Sequence, residues 1–119
     1  LVRYLGPLSR EDLREGYAAA YVHALPSSFE TTGLASLEAG LNGANLVVGD
    51  CPPVREYFEG LADFTDGNLE GICAAIERAL SRPRDGLGQS RQIRERYSWR
   101  KVAEETFRGY EDILGRAGA

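Results

Sequence analysis

Two glutamates, Glu30 and Glu38, bracket the point at which a polar loop passes into a predicted helix. Thr32 and Gly33 stand where that helix begins, so free backbone N–H groups and the helix dipole favour an anion such as a diphosphate. Gly33 has no side chain, which lets a ligand approach its backbone closely. Glu38 lies at least a turn further into the helix, where its carboxylate can accept two hydroxyl hydrogen bonds, as from a ribose diol.

Each of these residues also has a structural interpretation. Glu30 can be a surface carboxylate, and Glu38 can be a solvated helix residue or one partner of a structural salt bridge. The apolar neighbours of Glu38 make simple solvation less attractive. His23 is the single histidine, and its position within an apolar segment assigns it to the core or its rim rather than to catalysis.

The elements that position these residues alternate between strand and helix. Four apolar segments are predicted strands: Leu1–Leu5, Tyr21–Leu25, Leu46–Gly49 and Leu61–Phe64. Continuously apolar strands separated by helices predict an α/β fold with a Rossmann-like parallel sheet of about four strands, covered by helices. Ligands of such sheets bind beyond the carboxyl ends of the strands, so the loops after Leu25 and Gly49 are the expected site.

Helical signals fill the intervals between the strands. Ser9 is a predicted N-cap with Asp12 at the capping-box position, a helix is expected from about Gly33 to Asn42, and Gly43 suits the left-handed residue that closes it. A single helical turn is expected over Val54–Phe58. Two helices are predicted to carry an apolar stripe, and Cys73 in the first is assigned to the core. The stripes are Leu69, Ile72, Cys73, Ile76 and Leu80, then Trp99, Val102, Ala103, Phe107, Tyr110 and Leu114 in a last helix capped by Ser98.

The order strand, Pro-Ser, loop, glutamate, seven residues, glutamate resembles the signature of the group 1 glycosyltransferases, also called glycosyltransferase family 4. The resemblance covers nearly the whole chain. It rests on four segments in this order: LVRYLGPLSREDLREGY, ALPSSFETTGLASLEAGLNGANLVVGD, EYF and RYSWRKVAEETFRGY.

The resemblance implies roles for individual residues. Glu30 resembles the family's first motif glutamate, which contacts the transferred sugar, and is the implied catalytic residue. Glu38 resembles the second, which holds the ribose of the nucleotide. Backbone amides of Thr32, Gly33 and Leu34 would approach the sugar and the diphosphate. The loop reads TTGL where many members have Gly-Phe-Gly-Leu, which puts the identity of the sugar in doubt.

The resemblance also implies an architecture. Members of the family are retaining enzymes with the GT-B arrangement of two Rossmann-like domains facing a cleft. Residues 1–119 would be an incomplete donor-binding domain, because the acceptor domain and the start of the donor domain have no counterpart here. The missing start carries an Arg and a Lys that neutralise the departing diphosphate, so the chain alone is expected to be inactive.

The expected partners are a nucleotide diphosphate sugar as donor and a glycan, lipid or small molecule as acceptor, with no metal and no further cofactor. The net charge of −4 argues against broad nucleic-acid binding. The stretch 76–101 carries a net charge of +5, which is either a solvated helical surface or a contact for an anionic membrane or acidic partners. We expect a cytoplasmic protein, at the inner face of a membrane under the second interpretation.

Two rival classes stay open at this point. A non-catalytic module could read nucleotides or sugars with the same cleft, and an Arg and a Lys upstream would favour the enzyme over it. A receiver-type signalling domain would require an acidic cluster after its first strand, whereas Gly6 and Pro7 occupy that position here.

The resemblance makes a further prediction about the sheet. Family strand order 3-2-1-4-5-6 would separate Leu1–Leu5 from Tyr21–Leu25 by two strands that this chain does not carry. Unpaired backbone groups at such a gap invite pairing. We expect Leu1–Leu5 to move in beside Tyr21–Leu25, or a second copy to fill the gap; the third outcome is displacement of the first strand.

Overall fold

The computed structural model describes residues 1–117, and the side chain of Ala117 lies outside the description. Within these residues helices and strands alternate over most of the chain. The helices are α1 (Arg10–Ala19), α2 (Leu34–Leu41), α3 (Pro52–Phe58), α4 (Leu69–Ser81), α5 (Gln89–Tyr97) and α6 (Trp99–Ala117). The strands are β1 (Val22–Leu25), β2 (Asn45–Gly49) and β3 (Asp63–Thr65).

The three strands form one parallel sheet in the order β1-β2-β3. Every residue of β2 is buried, as a central strand covered on both faces requires. Each connection between neighbouring strands passes through a helix, which parallel pairing demands. The fold is therefore α/β and Rossmann-like as predicted, but the described sheet has three strands rather than about four.

Side chains alternate between the two faces of β2 and divide the core in two. Leu46 and Val48 pack with Val54, Phe58 and other residues of α2, α3 and α5 in the larger cluster. Val47 points the other way, against Ala75 and Ala79 of α4. Helices thus cover both faces of the sheet, and the carboxyl ends of β1 and β2 are held at one edge.

The predicted first strand is wrong. Leu1–Leu5 carries no strand and its side chains are exposed. Within residues 1–117 β1 pairs with β2 alone, so the segment is displaced rather than moved in beside β1. A strand added beyond β1 would need a covering layer for its apolar side chains. The adjacent helix α1 buries no residue, so hydrogen bonds alone would have to offset the entropy of ordering that strand.

The burial predicted for Cys73 is also wrong, because Cys73 is exposed. The residues of α4 that reach the sheet are Ala75 and Ala79, while Ile72 and Ile76 are half-buried and Leu69 and Leu80 are exposed. Two alanines four residues apart lie on one helical face and let α4 approach Val47 closely. The buried face is therefore rotated away from the predicted stripe.

The last helix forms where it was predicted, and the N–H of Lys101 donates to Oγ of Ser98 over 3.3 Å. Its apolar stripe, however, does not face the core: Trp99 is 87% exposed, and Phe107, Tyr110 and Leu114 also lie in water. The spacing of these residues therefore predicts the helix and its apolar face, but it does not predict that the face is buried. No element of the described chain lies opposite that face.

Other local predictions are confirmed with small shifts. The N–H of Asp12 donates to Oγ of Ser9, and Gly43 has a φ of +87°, the left-handed conformation that ends α2. The turn expected at Val54–Phe58 is the longer helix α3, which begins at Pro52 because proline suits the first helical position. Leu61 is buried just before β3 instead of within it.

Candidate functional site

The loops after β1 and β2 meet closely at the carboxyl edge of the sheet. Gly49 ends β2, and a Cβ on it would lie only 1.8 Å from the carbonyl oxygen of Ser27 in the loop after β1. No side chain fits there, so glycine is what allows the two loops to pack together. This edge is where the strand pattern places the site.

The start of α2 is built around Gly33. Gly33 is the N-cap with a φ of 69°, and its carbonyl accepts a hydrogen bond from the N–H of Leu37 over 3.0 Å. Left-handed backbone at this point suits glycine, and an added Cβ would also lie 3.2 Å from the ring of Phe58. No side chain caps α2, so the N–H groups of its first turn have no capping side-chain acceptor.

Glu30 is half-buried beside this turn. Its Oε1 accepts a hydrogen bond from the N–H of Thr31 over 2.8 Å, which holds the carboxylate against its own loop. Glu30 and Gly33 line one concavity between the ends of β1 and β2, which is too narrow to admit a water molecule. The wall is completed by Leu25, Ser36, Val48, Gly49, Val54 and Phe58.

Glu38 faces a different cavity. It is exposed and lines a cavity of about 320 Å³ between α1 and α2, together with Arg10, Arg14 and Tyr17. Burial and, secondarily, the negative charge of Glu38 raise the pKa of the Tyr17 phenol above its ordinary value. A diol placed in this cavity would meet a carboxylate acceptor and two guanidinium donors.

The structure therefore brings some of the expected site residues together and separates others. Glu30 and Gly33 share one concavity, whereas Glu38 opens into the cavity on the far side of α2. Thr32 is half-buried next to Gly33, and Leu34 is 67% exposed, with its backbone in the first turn of α2. The donor-binding roles of all five residues, and the catalytic role of Glu30, stay predictions.

The loop after β2 is braced by an ion pair. Arg55 donates to both carboxylate oxygens of Asp50 over 2.6 and 2.7 Å, and its guanidinium lies 4.5 Å above the ring of Phe64. This hydrogen bonding lowers the pKa of Asp50 and raises that of Arg55. Cys51 follows Asp50, and its Sγ lies 3.9 Å from the carbonyl oxygen of Glu30. The two site loops thus touch.

Several residues of the site do not stand out in the sequence. Ser36 lines the concavity of Glu30 and is 1% exposed, with its Oγ 3.1 Å from Nε2 of His23. Arg10 and Arg14 reach the cavity of Glu38. Their i, i+4 spacing on one helical face is the only local signal that they act together. His23 is half-buried, as predicted.

Within residues 1–117, no three His, Cys, Asp or Glu side chains are grouped so that they could hold a metal ion. In the same part of the chain, no helix combines the length and the apolarity needed to cross a bilayer.

The basic stretch 76–101 is largely engaged within the chain. Arg78 and Arg82 both pair with Asp63, and Arg91, Arg100 and Lys101 pair with glutamates one helical turn further on. Five of its eight cations thus have carboxylate partners. These contacts favour the interpretation of the stretch as a solvated helical surface over that of a membrane contact.

Comparison with known proteins identifies the family. The family model described as "Glycosyl transferases group 1" matches residues 1–98. A D-inositol 3-phosphate glycosyltransferase of Saccharomonospora viridis is 34% identical over 96% of the chain and 28% of its own length. An O-antigen chain mannosyltransferase B of Escherichia coli is 30% identical over 92% of the chain and 30% of its own length.

A third relative is the MMP alpha-(1->4)-mannosyltransferase of Mycolicibacterium hassiacum, which is 29% identical over 94% of the chain and 29% of its own length. The chain thus spans less than a third of the length of each of these relatives. The family match covers most of the chain and includes both motif glutamates, as the resemblance predicted. The chain belongs to the group 1 glycosyl transferases.

Proposed function

We propose that the chain is the donor-binding part of a retaining glycosyltransferase with GT-B architecture, which transfers a sugar from a nucleotide diphosphate sugar to an acceptor. The observation that carries this proposal is the uncapped start of α2, which opens at the carboxyl edge of the sheet beside Glu30. Backbone N–H groups and the helix dipole at such a point suit a diphosphate. Membership of the family supplies the class of reaction.

In the proposed arrangement the diphosphate lies on the amides that follow Gly33, and the two glutamates act on either side of it. Glu30 accepts hydrogen bonds from hydroxyls of the transferred sugar at the mouth of the narrow concavity that it lines at the strand ends. Glu38 accepts from the ribose diol within the cavity that it shares with Arg10 and Arg14. The residues of this part bind and orient the donor without a metal ion.

The relatives named as a D-inositol 3-phosphate glycosyltransferase and as an O-antigen chain mannosyltransferase support sugar transfer in general. We propose a hexose as the transferred sugar and a glycan, lipid or small molecule as the acceptor, with transfer in the cytoplasm. Cations that neutralise the departing diphosphate are expected outside this chain, so the chain alone is proposed to bind the donor without turning it over.

The experiment that tests the proposal is titration calorimetry of the whole protein with nucleoside diphosphates. Glu38→Ala should weaken binding by about 1–3 kcal/mol, because charged hydrogen bonds to the ribose are left unmade. Glu77→Ala is the matched control, since Glu77 is exposed on α4, which packs on the other face of the sheet.

Two results would contradict the proposal in different ways. Unchanged affinity in Glu38→Ala would remove that residue from the ribose site while leaving the donor site in place. Absence of binding of any nucleoside diphosphate to the unmodified whole protein would contradict the donor-binding function itself. Binding with no sugar transfer to any acceptor would favour the non-catalytic module.

A further inference from the structure

A histidine and a serine meet between β1 and α2, beneath the proposed donor site. Nε2 of His23 lies 3.1 Å from Oγ of Ser36. Ser36 is 1% exposed, and the ring of Tyr17 packs edge-on against the imidazole at 5.7 Å between centroids. Val22, the preceding residue of β1, packs with the cluster on the opposite face of the sheet. His23 therefore points toward α1 and α2.

Ser36 occupies a position from which it can influence the site. It is the third residue of α2, within the turn whose amides face the proposed diphosphate, and it lines the same concavity as Glu30 and Gly33. A serine near a helix start commonly turns its hydroxyl to the helix's own backbone. Here the imidazole competes for that hydroxyl and ties the first turn of α2 to the strand.

We propose that His23 is a positioning residue for the donor site: its hydrogen bond with Ser36 fixes the first turn of α2 relative to β1. The inference rests on the proposed function, because it assumes that this turn meets the diphosphate. His23 itself touches neither donor nor reacting atoms; it acts through Ser36. Replacing it leaves a buried hydroxyl without its partner, so the turn must shift to reach water or another acceptor.

The imidazole also makes this support depend on pH. When the imidazole is neutral, Nε2 can accept a hydrogen bond from the Ser36 hydroxyl; when it is protonated, Nε2–H donates to Oγ, and the serine O–H turns to another acceptor. The titratable groups around it are the phenol of Tyr17 on α1 and the carboxylate of Glu38 beyond that phenol on α2. Burial lowers the pKa of His23 below its ordinary value of 6.5.

The test compares His23→Phe, Ser36→Ala and the double variant in the whole protein. Each single variant should raise the dissociation constant for the nucleoside diphosphate about tenfold, the loss of one buried hydrogen bond. The double variant should be no worse than either, since both changes break the same contact. His23→Gln, whose amide nitrogen can occupy the place of Nε2, should restore most of the affinity and lack the part of the pH dependence below pH 6.5 that the imidazole contributes.

A second readout does not depend on the nucleotide. The N–H of Leu37 closes the first helical bond of α2 on the carbonyl of Gly33. Its hydrogen exchange should be about tenfold faster in His23→Phe, because a freed turn opens more often. Unchanged exchange would overturn the positioning role whether or not any nucleotide binds.

Val22→Ala is the control for general destabilisation, because Val22 lies next to His23 in β1 but packs toward α4. Equal loss of affinity in Val22→Ala and His23→Phe at the same loss of unfolding free energy would overturn the inference in favour of a merely structural role. Additive losses in the double variant would do the same. If the whole protein binds no nucleoside diphosphate, the proposed function fails, and the exchange of Leu37 alone decides whether His23 positions α2.

Discussion

At the scale of single residues, the site depends on a few groups held by their own backbone. Glu30 is held by the N–H of Thr31, and Gly33 alone permits the left-handed turn that opens α2 next to it. Glu38, by contrast, has a freely exposed carboxylate in the cavity beside α1. We therefore expect the two glutamates to respond differently to substitution.

Glu30→Gln should lower the turnover of the donor by about tenfold or more, ~1.4 kcal/mol of transition-state stabilisation, while affinity for the nucleoside diphosphate stays similar. Glutamine keeps an oxygen that can accept from the N–H of Thr31, so the loop should persist and only the charge facing the sugar is lost. Steady-state kinetics and calorimetry on the whole protein measure the two effects. Equal loss of turnover and affinity would mean that Glu30 merely supports the loop.

At the scale of elements, two glycines let neighbouring strands, loops and helices approach closely, because glycine has no side chain. Gly49 lets the loop after β1 pack against the end of β2. Gly40 of α2 is buried where that helix meets α5, and a Cβ on it would lie 2.6 Å from Cδ1 of Ile93 and 2.9 Å from Cδ1 of Leu46. Both neighbours are nearly or fully buried, so they have little room to move.

Gly40→Ala should lower the free energy of unfolding by about 1 kcal/mol. Overpacking costs about 1–3 kcal/mol, and the better helix propensity of alanine offsets up to about 1 kcal/mol of that. Gly16→Ala is the matched control, because Gly16 lies in α1 and an added Cβ meets nothing within 4 Å. It should leave stability unchanged or raise it by up to about 1 kcal/mol. Urea denaturation measures both; equal effects would contradict the packing argument.

At the scale of the whole molecule, the chain is extended and leaves apolar surface uncovered. Its radius of gyration is 16.9 Å, against about 13.5 Å for a compact domain of this length. The stripe of α6 and the segment Leu1–Leu5 account for much of the exposed apolar surface, and β1 has a partner strand on one side only. Surfaces of this kind favour association with other chains.

We expect the chain expressed alone to self-associate through the α6 stripe as its concentration rises. Phe107→Glu should reduce that association, because it places a charge within the apolar face. Gly109→Glu adds the same charge at an open position of the same helix and should have little effect. Sedimentation velocity over a range of concentrations distinguishes them. Equal shifts in both variants would show that net charge, rather than the stripe, governs association.

Local sequence patterns determined much of this protein. Apolar runs located β1 and β2, the caps at Ser9 and Ser98 located two helix starts, and Gly43 located a helix end. The motif around Glu30 and Glu38 indicated the family, which the family match confirmed. Such signals work because caps and helical or strand periodicity depend on residues only a few positions apart, so the local sequence contains all the residues involved.

Only the tertiary structure decided which of these surfaces are covered. It turned Ala75 rather than Cys73 of α4 toward the sheet, left Leu1–Leu5 and the stripe of α6 in water, and placed Glu30 and Glu38 in separate hollows. It also brought His23 to Ser36. The physical reason is that periodicity shows which face of an element is apolar, whereas burial requires a partner surface whose presence and orientation depend on residues distant in sequence.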